Sequence, residues 1–482
     1  MRLPHRLVLI ACLLPLACRA PPAASPSPVE PANEAEVWVG VQAGPGGDGS
    51  EARPFGSLAR ALERTPVPGR PLRIHLGPGR YAGPFTVPAG VELVGAGEST
   101  VLYGEAAQPV LRAPTGVVLE KLGLEGGSWG LEGAGEVRLT EVRLHGQASG
   151  AVRWGMGRLV VAGSVLEAGA SGAVGLALTE AEASAEVRTS RFTGAFRRGV
   201  EARGAEVVLE EVRFKGAEVA LHQVGGTVTA RRTQVEGGQG PGLFARKGTL
   251  RLEDVTVTGH EYGLQGLEAT LEVRGFTSER AQRAGVALVG GGGALEGVVV
   301  RGSGSYGGLQ LLGADVVVRG VRVEDGDAYG IAATRGRLRV EGGTLTRLTT
   351  REGGSGDGLH LRDVKAEVEG LVVRDVAGLG VLGAQGAQVV LREVSLEACQ
   401  AGGVVAETLG EVKVESLEVR GLGGPVLAAH EAGVLQVEAL TVRGAASQLV
   451  WADCQGATRV RLGRVLGTDG GWGTLAPCVS SR

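Results

Sequence analysis

The chain of 482 residues is poor in several residue types that other repeat and binding proteins need. Asparagine occurs once, at Asn33, and aromatic residues make up only 4 % of the sequence. Leucine-rich repeats require an asparagine at a fixed position, so the shortage argues against that fold and against internal asparagine ladders. The formal net charge is −3, and no run of Lys and Arg is interleaved with aromatics. Nothing therefore indicates a nucleic-acid partner.

Long apolar runs are also missing, apart from one at the N-terminus. Arg2 and Arg6 precede an apolar stretch over residues 7–16, and Leu16-Ala17-Cys18 follows it. This segment resembles the signal peptide and lipobox of bacterial lipoproteins, in which the cysteine carries the lipid and becomes the mature N-terminus. The resemblance predicts a signal peptide over 1–17 with lipid on Cys18. The alternative is an ordinary cleaved signal with an incidental cysteine.

The residues after Cys18 predict a tether and a location. Residues 18–36 are rich in Pro, Ala and Ser and contain too little apolar surface to fold. Arg19 stands where an Asp retains lipoproteins at the inner membrane of well-known bacteria, so we expect the outer membrane. No later segment approaches the ~20 apolar residues that span a bilayer. The membrane partner would therefore be bound through the lipid alone.

The remaining sequence repeats one ten-residue phrase. Apolar residues stand at its first, third, sixth and eighth positions, and a glycine or another turn residue stands at the tenth. Good copies are VRLTEVRLHG, LRLEDVTVTG and LQVEALTVRG. Phrase starts fall at 117, 137, 159, 185, 207, 228, 250, 271, 293, 316, 338, 366, 389, 412, 435 and 460. Most steps are therefore about 20 to 23 residues, a period typical of a solenoid.

Each period predicts three short strands. Alternation of apolar residues inside the phrase predicts two strands with one buried face each, joined by a bend between the third and sixth positions. A second short apolar segment follows a glycine in each period, as in Gly330-Ile331 and Gly380-Val381, and predicts the third strand. We therefore predict an all-β fold: a right-handed single-stranded parallel β-helix of about 18 coils of ~22 residues over 37–482.

The two ends of such a rod need covers, because their strand edges are unpaired. The segment SLARALER at 57–64 has apolar residues at helical spacing after Ser57 and predicts an N-terminal capping helix. A C-terminal cap is expected near 451–482. Cys454 and Cys478 lie at nearly equivalent places in adjacent coils, so we predict a disulfide between them. Cys399 has no partner in register and is expected to be a buried apolar residue.

The N-terminal part resembles a known superfamily. Val37-Trp38-Val39, then GGDGSEARPFGSLARAL, IHLGPGRYAGPF and GVELVGAG, look like the opening of right-handed β-helix proteins of the pectin-lyase-like superfamily. This motif covers residues 37–97, and the repeats cover nearly all the rest. The resemblance implies the fold but not the activity, because the superfamily includes lyases, hydrolases, epimerases and non-catalytic adhesins. Its lyases use Ca²⁺ held by Asp with an Arg or Lys base, and its hydrolases use several Asp on neighbouring coils.

Aspartates concentrate in one part of the repeat. Six of the ten lie between 315 and 375. The step from 338 to 366 is longer than the others, and insertions in solenoids become loops on one side. The candidate catalytic residues are therefore Asp327, Asp357, His360 and Asp375, with Arg362 and Asp363 nearby. The competing interpretation is structural, because Asp325 and Asp375 occupy the turn position of their phrases.

These features leave the function open between two classes. The main prediction is a non-catalytic cell-envelope lipoprotein, a rigid scaffold or spacer that binds surface polysaccharide or another envelope protein. The scarcity of aromatics favours it, because sugar sites usually stack rings on Trp or Tyr. The alternative is a polysaccharide lyase, epimerase or hydrolase with a site around 325–375. No His/Cys spacing predicts a metal site, and no cofactor is expected.

Overall fold

Three parallel faces run along the molecule, and each coil of the chain contributes one strand to each face. A computed structural model describes residues 35–67, 69–169, 171–351, 353–444, 446–467 and 476–481. We name the faces sheet A, sheet B and sheet C after the order of their strands in a coil, for example Val137–Thr140, Arg143–His145 and Gly150–Trp154. Each strand pairs in parallel with its equivalents in the coils before and after it. The predicted parallel β-solenoid of about 18 turns is thereby confirmed.

The strands follow the repeat phrase. In the first half of the chain they are Ala35–Val39, Leu72–Leu76, Gly79–Ala82, Phe85–Thr86, Val91–Gly95, Thr100–Gly104, Leu111–Ala113, Val117–Glu120, Gly123–Gly126, Trp129–Gly133, Val137–Thr140, Arg143–His145, Gly150–Trp154, Gly157–Ala162, Val165–Glu167, Val174–Leu178, Ala183–Arg188, Arg191–Thr193, Arg198–Arg203, Glu206–Glu210, Arg213–Lys215, Val219–Val224, Thr227–Arg231 and Gln234–Glu236. They continue as Leu243–Arg246, Thr249–Thr258, Tyr262–Leu267, Thr270–Glu279, Ala284–Val289, Gly292–Glu296, Val299–Arg301, Gly307–Glu324, Tyr329–Leu348, Asp357–Arg362, Lys365–Val376, Leu379–Ala384, Gln388–Arg392, Val394–Cys399, Gly402–Glu407, Glu411–Val414, Leu417–Arg420, Leu427–His430, Val434–Arg443, Val450–Ala452, Arg459–Leu466 and Val479–Ser481. Several long strands pass through more than one face.

The bend between sheets A and B explains the break inside the phrase. The residue at the fifth position takes a left-handed backbone, with φ of 53° at Glu141, 55° at Glu211 and 51° at Glu393. One such residue turns the chain so that the apolar first and third positions face the same interior as the sixth and eighth. Val137, Leu139, Val142 and Leu144 are accordingly buried in one continuous core.

The outer surfaces of sheets A and B carry ladders of opposite charges. Arginine and glutamate side chains meet between adjacent coils, as in Arg251–Glu272 at 2.9 Å, Arg319–Glu341 at 2.7 Å and Arg301–Glu279 at 3.1 Å. These side chains are exposed, so each pair contributes only about 0–1 kcal/mol. The two faces therefore carry charges that largely neutralise each other.

The predicted N-terminal capping helix is not supported. A single short helix, Leu58–Leu62, lies within the predicted segment, and the Ser57 side chain makes no capping hydrogen bond. The segment is cut short because Thr65 precedes Pro66, and the residue before a proline disfavours the helical region. Leu58 and Ala61 are buried in the core of the solenoid. Apart from this helix, the described residues contain one short 3₁₀ turn, Gly97–Ser99.

The cysteines near the C-terminus lie in adjacent coils, as their register predicted. A disulfide joins Cys454 to Cys478, whose Cα atoms are 5.3 Å apart. The last described strand, Val479–Ser481, pairs with Arg459–Leu466. Cys399 is fully buried and unbridged, and burial raises the pKa of its thiol to about 12. It therefore packs as the apolar residue that the sequence indicated.

The predicted signal peptide and the lipidated Cys18 lie outside the described residues. The first strand begins at Ala35, inside the predicted tether of 18–36. The residues from Ala35 onward form one compact unit. Within the described part of the chain, no helix is long and apolar enough to cross a membrane.

Candidate functional site

The insertion predicted from the repeat lies between sheets B and C. Residues 349–356 connect the strand that ends at Leu348 to the strand that begins at Asp357, where one coil earlier residues 325–328 suffice. Asp327 holds the start of this loop, because its Oδ1 accepts hydrogen bonds from the Thr349 hydroxyl at 3.0 Å and the Arg351 amide at 2.8 Å. The loop therefore begins at a fixed point on the preceding coil.

Asp357 holds the end of the same loop. Its Oδ2 accepts a hydrogen bond from the Ser355 hydroxyl, and its Oδ1 accepts one from the Leu379 amide at 2.8 Å, one coil later. The carboxylate is only 2 % exposed. Burying a carboxylate costs free energy unless it is hydrogen-bonded, and these contacts provide the hydrogen bonds. Asp327 and Asp357 therefore hold the two ends of the loop.

Asp357 also orients His360. The Nδ1 atom of His360 lies 2.7 Å from Asp357 Oδ2, and the histidine is 7 % exposed. A carboxylate at Nδ1 fixes the tautomer with the proton on that nitrogen, so Nε2 carries the lone pair. The ring packs at 4.6 Å from the Tyr329 ring, whose residue is the register partner of Asp357 in the preceding coil. This is the arrangement of a histidine prepared to take up a proton.

The local sequence explains why two residues three apart share the outer face. In Asp357-Gly358-Leu359-His360, Leu359 is fully buried, and a Cβ on Gly358 would lie 2.5 Å from Cγ1 of the buried Val373. Both middle residues therefore face the core, which leaves Asp357 and His360 as consecutive outward residues. Only glycine fits at the second of these four positions, because the space there is already filled.

The structure separates the other candidates from this pair. Asp375 stands at an exposed corner with φ of 53°, and its Oδ2 lies 3.6 Å from the Arg374 Nε. Asp325 occupies the equivalent corner, with φ of 56°, and is bound by Arg347. These are the turn positions that the phrase predicted. The structure thus brings Asp357 and His360 together, places Asp327 at the other end of the loop and leaves Asp375 outside the site.

Two residues that belong to this site were not predicted from the sequence, whereas Arg362 was named beside the candidates. Tyr329 and Ser355 contact His360 and Asp357, and neither lies in a pattern that could have indicated this. Arg362 follows His360 by two residues and therefore lies on the same outer face. Its Nε is buried, and no residue that the structure describes pairs with it. A guanidinium with an N–H that has no protein partner, beside a histidine, is suited to receive an anionic group.

The outer surface of sheet C differs from that of sheets A and B. His360 stands in a column of outward residues, one per coil, which we call the sheet C column. From the N-terminal side its members are Phe244, Gln265, Ala287, Gln310, Ala332, His360, Leu382, Val405, Ala428 and Trp451. Over these ten coils His360 is the one ionisable member. The column is therefore uncharged apart from His360 over about 43 Å, while charged residues such as Arg362 and Glu407 lie beside it on the same sheet.

Aromatic side chains also lie along this surface, contrary to the argument from composition. Tyr306 is 37 % exposed, and its ring lies 6.4 Å from that of Tyr262. The Arg283 guanidinium lies 5.6 Å from the centre of the Tyr306 ring. Trp451 is 44 % exposed at the far end of the column. The scarcity of aromatics in the whole chain therefore concealed their concentration on one face.

Two other regions of the molecule combine charged residues with a concave or buried setting. A large shallow depression lies on the outer surface of sheet A, but its charged residues are mutually paired, as in Lys413–Glu438 at 3.0 Å. Near the other end of sheet C, Glu201 is buried and bound by Arg198 and Arg203. Burial raises the pKa of Glu201, but the hydrogen bonds from Arg203 and Arg198 outweigh it and lower the pKa overall. That carboxylate is saturated, so His360 is the better candidate.

No metal site emerges from the described coordinates. Among the described residues, no group of three or more His, Cys, Asp or Glu side chains is arranged to hold an ion.

No family model matches the sequence, and no curated protein matches it either. Solved structures do resemble the fold. The catalytic domain of a GH87 α-1,3-glucanase bound to nigerose is 12 % identical over 94 % of this chain and 71 % of that chain, with a TM-score of 0.31. A PL6 family alginate lyase is 10 % identical over 89 % and 92 %, with a TM-score of 0.29. A family 28 exopolygalacturonase of Yersinia enterocolitica is 9 % identical over 90 % and 78 %, with a TM-score of 0.21.

These neighbours correct the main functional prediction. All three are enzymes of carbohydrates, which contradicts the non-catalytic scaffold and favours its alternative, a polysaccharide lyase, epimerase or hydrolase. At such low identities and TM-scores, the likeness assigns neither a substrate nor a catalytic residue to this chain. The function is therefore argued below from the chain's own side chains.

Proposed function

We propose that this protein acts on an acidic polysaccharide by removing the proton next to a sugar carboxylate, as a lyase or an epimerase. One observation carries the proposal: the buried Asp357 orients His360 at 2.7 Å, and Arg362, whose Nε has no partner in the described structure, lies two residues away on the same face. A base and a cation on one face are what such a proton transfer requires.

Each side chain has a separate role in the proposed step. The lone pair on His360 Nε2 takes the proton from the sugar carbon that bears the carboxylate, and the Asp357 carboxylate stabilises the imidazolium that forms. Arg362 binds the sugar carboxylate and stabilises the negative charge that develops on it. The electron pair of the broken C–H bond then either forms a C=C bond or takes a proton from solvent water on the opposite face. The first outcome is a lyase reaction and the second an epimerisation. When the C=C bond forms, the bond to the neighbouring glycosidic oxygen breaks, and that oxygen takes a proton from solvent water and leaves as a hydroxyl group. The His360 imidazolium then releases its proton to water.

Hydrolysis fits the site less well. Glycoside hydrolases use two carboxyl groups on either side of the scissile bond. Here Asp327 and Asp357 are 6 % and 2 % exposed, and both hold the ends of the 349–356 loop. Asp375 lies at an exposed corner away from them. None of these three aspartates is therefore placed as a free carboxylate beside His360.

Turnover on a panel of polysaccharides tests this proposal. We expect the protein to produce unsaturated sugar ends or epimerised residues from at least one uronic-acid polymer. Replacing His360 by Ala should lower turnover by about 10²-fold or more, because a positioned base contributes that much. His145→Ala is the matched control, since His145 is a partly exposed histidine on sheet B. Equal turnover in the His360→Ala variant and the wild type would disprove the assignment of the base.

The sequence-based predictions about location stay part of this proposal. A lipid on Cys18 and residence at the outer membrane would place the enzyme among envelope or environmental polysaccharides. A polysaccharide is the partner that the site chemistry supports. We also propose that the coils are right-handed, because parallel β crossovers usually have that handedness.

A further inference from the structure

Polar and apolar residues alternate on the N-terminal side of His360 along the sheet C column and its preceding register partner, His222. Each residue is the register partner of the next, so one coil separates successive members. In order they are His222, Phe244, Gln265, Ala287, Gln310, Ala332 and His360. A side chain able to form hydrogen bonds therefore recurs at every second coil, about 10 Å apart.

The two glutamines in this series have no partner within the protein. In the described part of the chain, the side-chain amides of Gln265 and Gln310 make no hydrogen bond, and both residues are half-buried on the outer face. The inward glutamines behave differently: Gln223 Nε2 donates to three backbone carbonyls and Gln147 Nε2 to two. The His222 Nδ1 is likewise buried without a partner. The outward amides are thus left available to a ligand.

Tyrosines lie along one edge of the series, with Tyr262 and Tyr306 two coils apart and Tyr329 one coil further on. Tyr262 begins the strand that contains Gln265, and Tyr306 directly precedes the strand that contains Gln310. The small Ala287 lies between the two glutamines and leaves room for a ligand at the intervening coil. The two coils that carry an amide and a tyrosine therefore flank one coil that presents a small residue.

A linear glycan of equatorially linked sugars forms a flat ribbon with a two-fold screw axis. Its successive units face opposite ways, so the same edge of the chain recurs at every second sugar. Such a ribbon, with about one sugar per coil, would present equivalent hydrogen-bonding groups to His222, Gln265, Gln310 and His360. Glycans with axial linkages are buckled and do not repeat at this spacing.

We propose that the sheet C column binds an acidic polysaccharide in the extended two-fold ribbon form, with Gln265 and Gln310 contacting every second sugar. This inference rests on the proposed function, because it extends the substrate from the unit at His360 along the same face. It adds a requirement on the conformation of the glycan, which Gln265 and Gln310 would select. The reaction at His360 does not by itself demand that conformation.

Binding to a catalytically silent full-length protein tests the inference. The His360→Ala variant is titrated with oligomannuronates of graded length, whose equatorial linkages give the flat ribbon. Oligoguluronates are the matched ligands, since they have the same charge and composition but axial linkages. We expect oligomannuronates to bind more tightly, with affinity rising until the chain spans the six coils from His360 to His222, about 29 Å.

Variants of the column identify the contacts. In the His360→Ala background, Gln265→Ala and Gln310→Ala should each weaken oligomannuronate binding about three- to tenfold, the effect of one lost hydrogen bond. Gln388→Ala, an exposed glutamine on sheet A, should leave it unchanged. The double variant Gln265→Ala with Ala287→Gln moves the amide by one coil. It should not restore affinity, because the amide then no longer matches the two-coil repeat of the ribbon. Thermal unfolding of each variant checks that the fold is intact.

The outcomes separate this inference from the proposed function. Stronger or equal binding of oligoguluronates, absent binding of both series, or unchanged affinity in both glutamine variants would overturn the two-fold ribbon. None of these results depends on turnover. If the glutamine variants weaken binding but the wild type turns over no uronic-acid polymer, the ribbon site stands and the proposed reaction fails.

Discussion

At the level of a single residue, Asp357 both holds the end of the 349–356 loop and orients His360. One substitution can test both roles. Its carboxylate accepts hydrogen bonds from Ser355 and Leu379 and orients His360. Asp357→Asn replaces one acceptor oxygen by an NH₂ group that cannot accept any of these bonds. We expect a loss of about 1.5–3 kcal/mol in the free energy of unfolding, together with the loss of turnover.

The exposed Asp375 provides the control for that variant. Asp375→Asn should leave both the thermal midpoint and turnover nearly unchanged, because its contact with Arg374 is at the surface. If both asparagine variants lost turnover equally, the cluster of aspartates rather than the Asp357–His360 pair would form the site.

Buried histidines should make stability depend on pH. His260 is 1 % exposed, its Nδ1 lies 3.1 Å from the Gly240 carbonyl oxygen, and its Nε2 has no partner in the described structure. Burial lowers the pKa of His260 below its usual 6.5, and the Gly240 contact opposes this only in part. Burial also lowers the pKa of His222.

The sign of the effect follows from proton binding. Below pH 6.5 the unfolded chain takes up a proton on each histidine before the folded chain does, so stability present above that pH is lost as the pH falls. We expect the thermal midpoint to fall below pH 6.5 and the fall to be smaller in His260→Asn, which keeps an N–H for Gly240. An identical slope in the variant would show that other groups govern the acid response.

At the level of the element, the bend between sheets A and B can be tested at Glu141. This residue has φ of 53° and an exposed side chain. The left-handed backbone costs non-glycine residues about 1 kcal/mol or more. Glu141→Gly should therefore raise the thermal midpoint slightly, and Glu141→Val should lower it, because a branched Cβ is worse there. Arg138→Val, at an extended outward position, is the control and should have little effect.

The strands were predictable from the sequence because each phrase contains its own evidence. Alternating apolar residues in a phrase such as VRLTEVRLHG fix which side chains face the core, and the period fixes which strands become neighbours. The capping helix was not predictable from its own eight residues. The nearby Pro66 limits it to Leu58–Leu62, and the surrounding strands supply the apolar surface that buries Leu58 and Ala61.

The candidate site was predictable only in part. The long step in the repeat located the insertion, and Asp357 and His360 became candidates because they follow it. Their contact depends on Gly358 and Leu359 both facing inward, which breaks the simple alternation of a strand. Tyr329 and Gln310 come from earlier coils, so their proximity follows from three-dimensional register. Composition misled on the aromatics, because it averages over faces with different roles.

At the level of the whole molecule, each coil contacts mainly its neighbours, so coils should be removable as units. Residues 198–218 run from one sheet C strand to the equivalent point in the next, since Arg198 is the register partner of Val219. Deleting them should leave a folded, slightly shorter solenoid with turnover retained. Deleting 198–208 alone should unfold the region, because strands of sheet C would then meet strands of sheet A. Circular dichroism and thermal unfolding distinguish the two results.

The central claim is that His360 takes a proton from a sugar carbon held on the outer face of sheet C. The most direct measurement is hydrogen exchange at that carbon, followed by NMR with uronic-acid polysaccharides in D₂O. We expect the wild type to introduce deuterium at the carbon next to the carboxylate, or to remove that hydrogen with formation of a double bond. The His360→Ala variant should do neither. Exchange or elimination at the wild-type rate in His360→Ala, or no reaction of the wild type with any such polymer, would contradict the account.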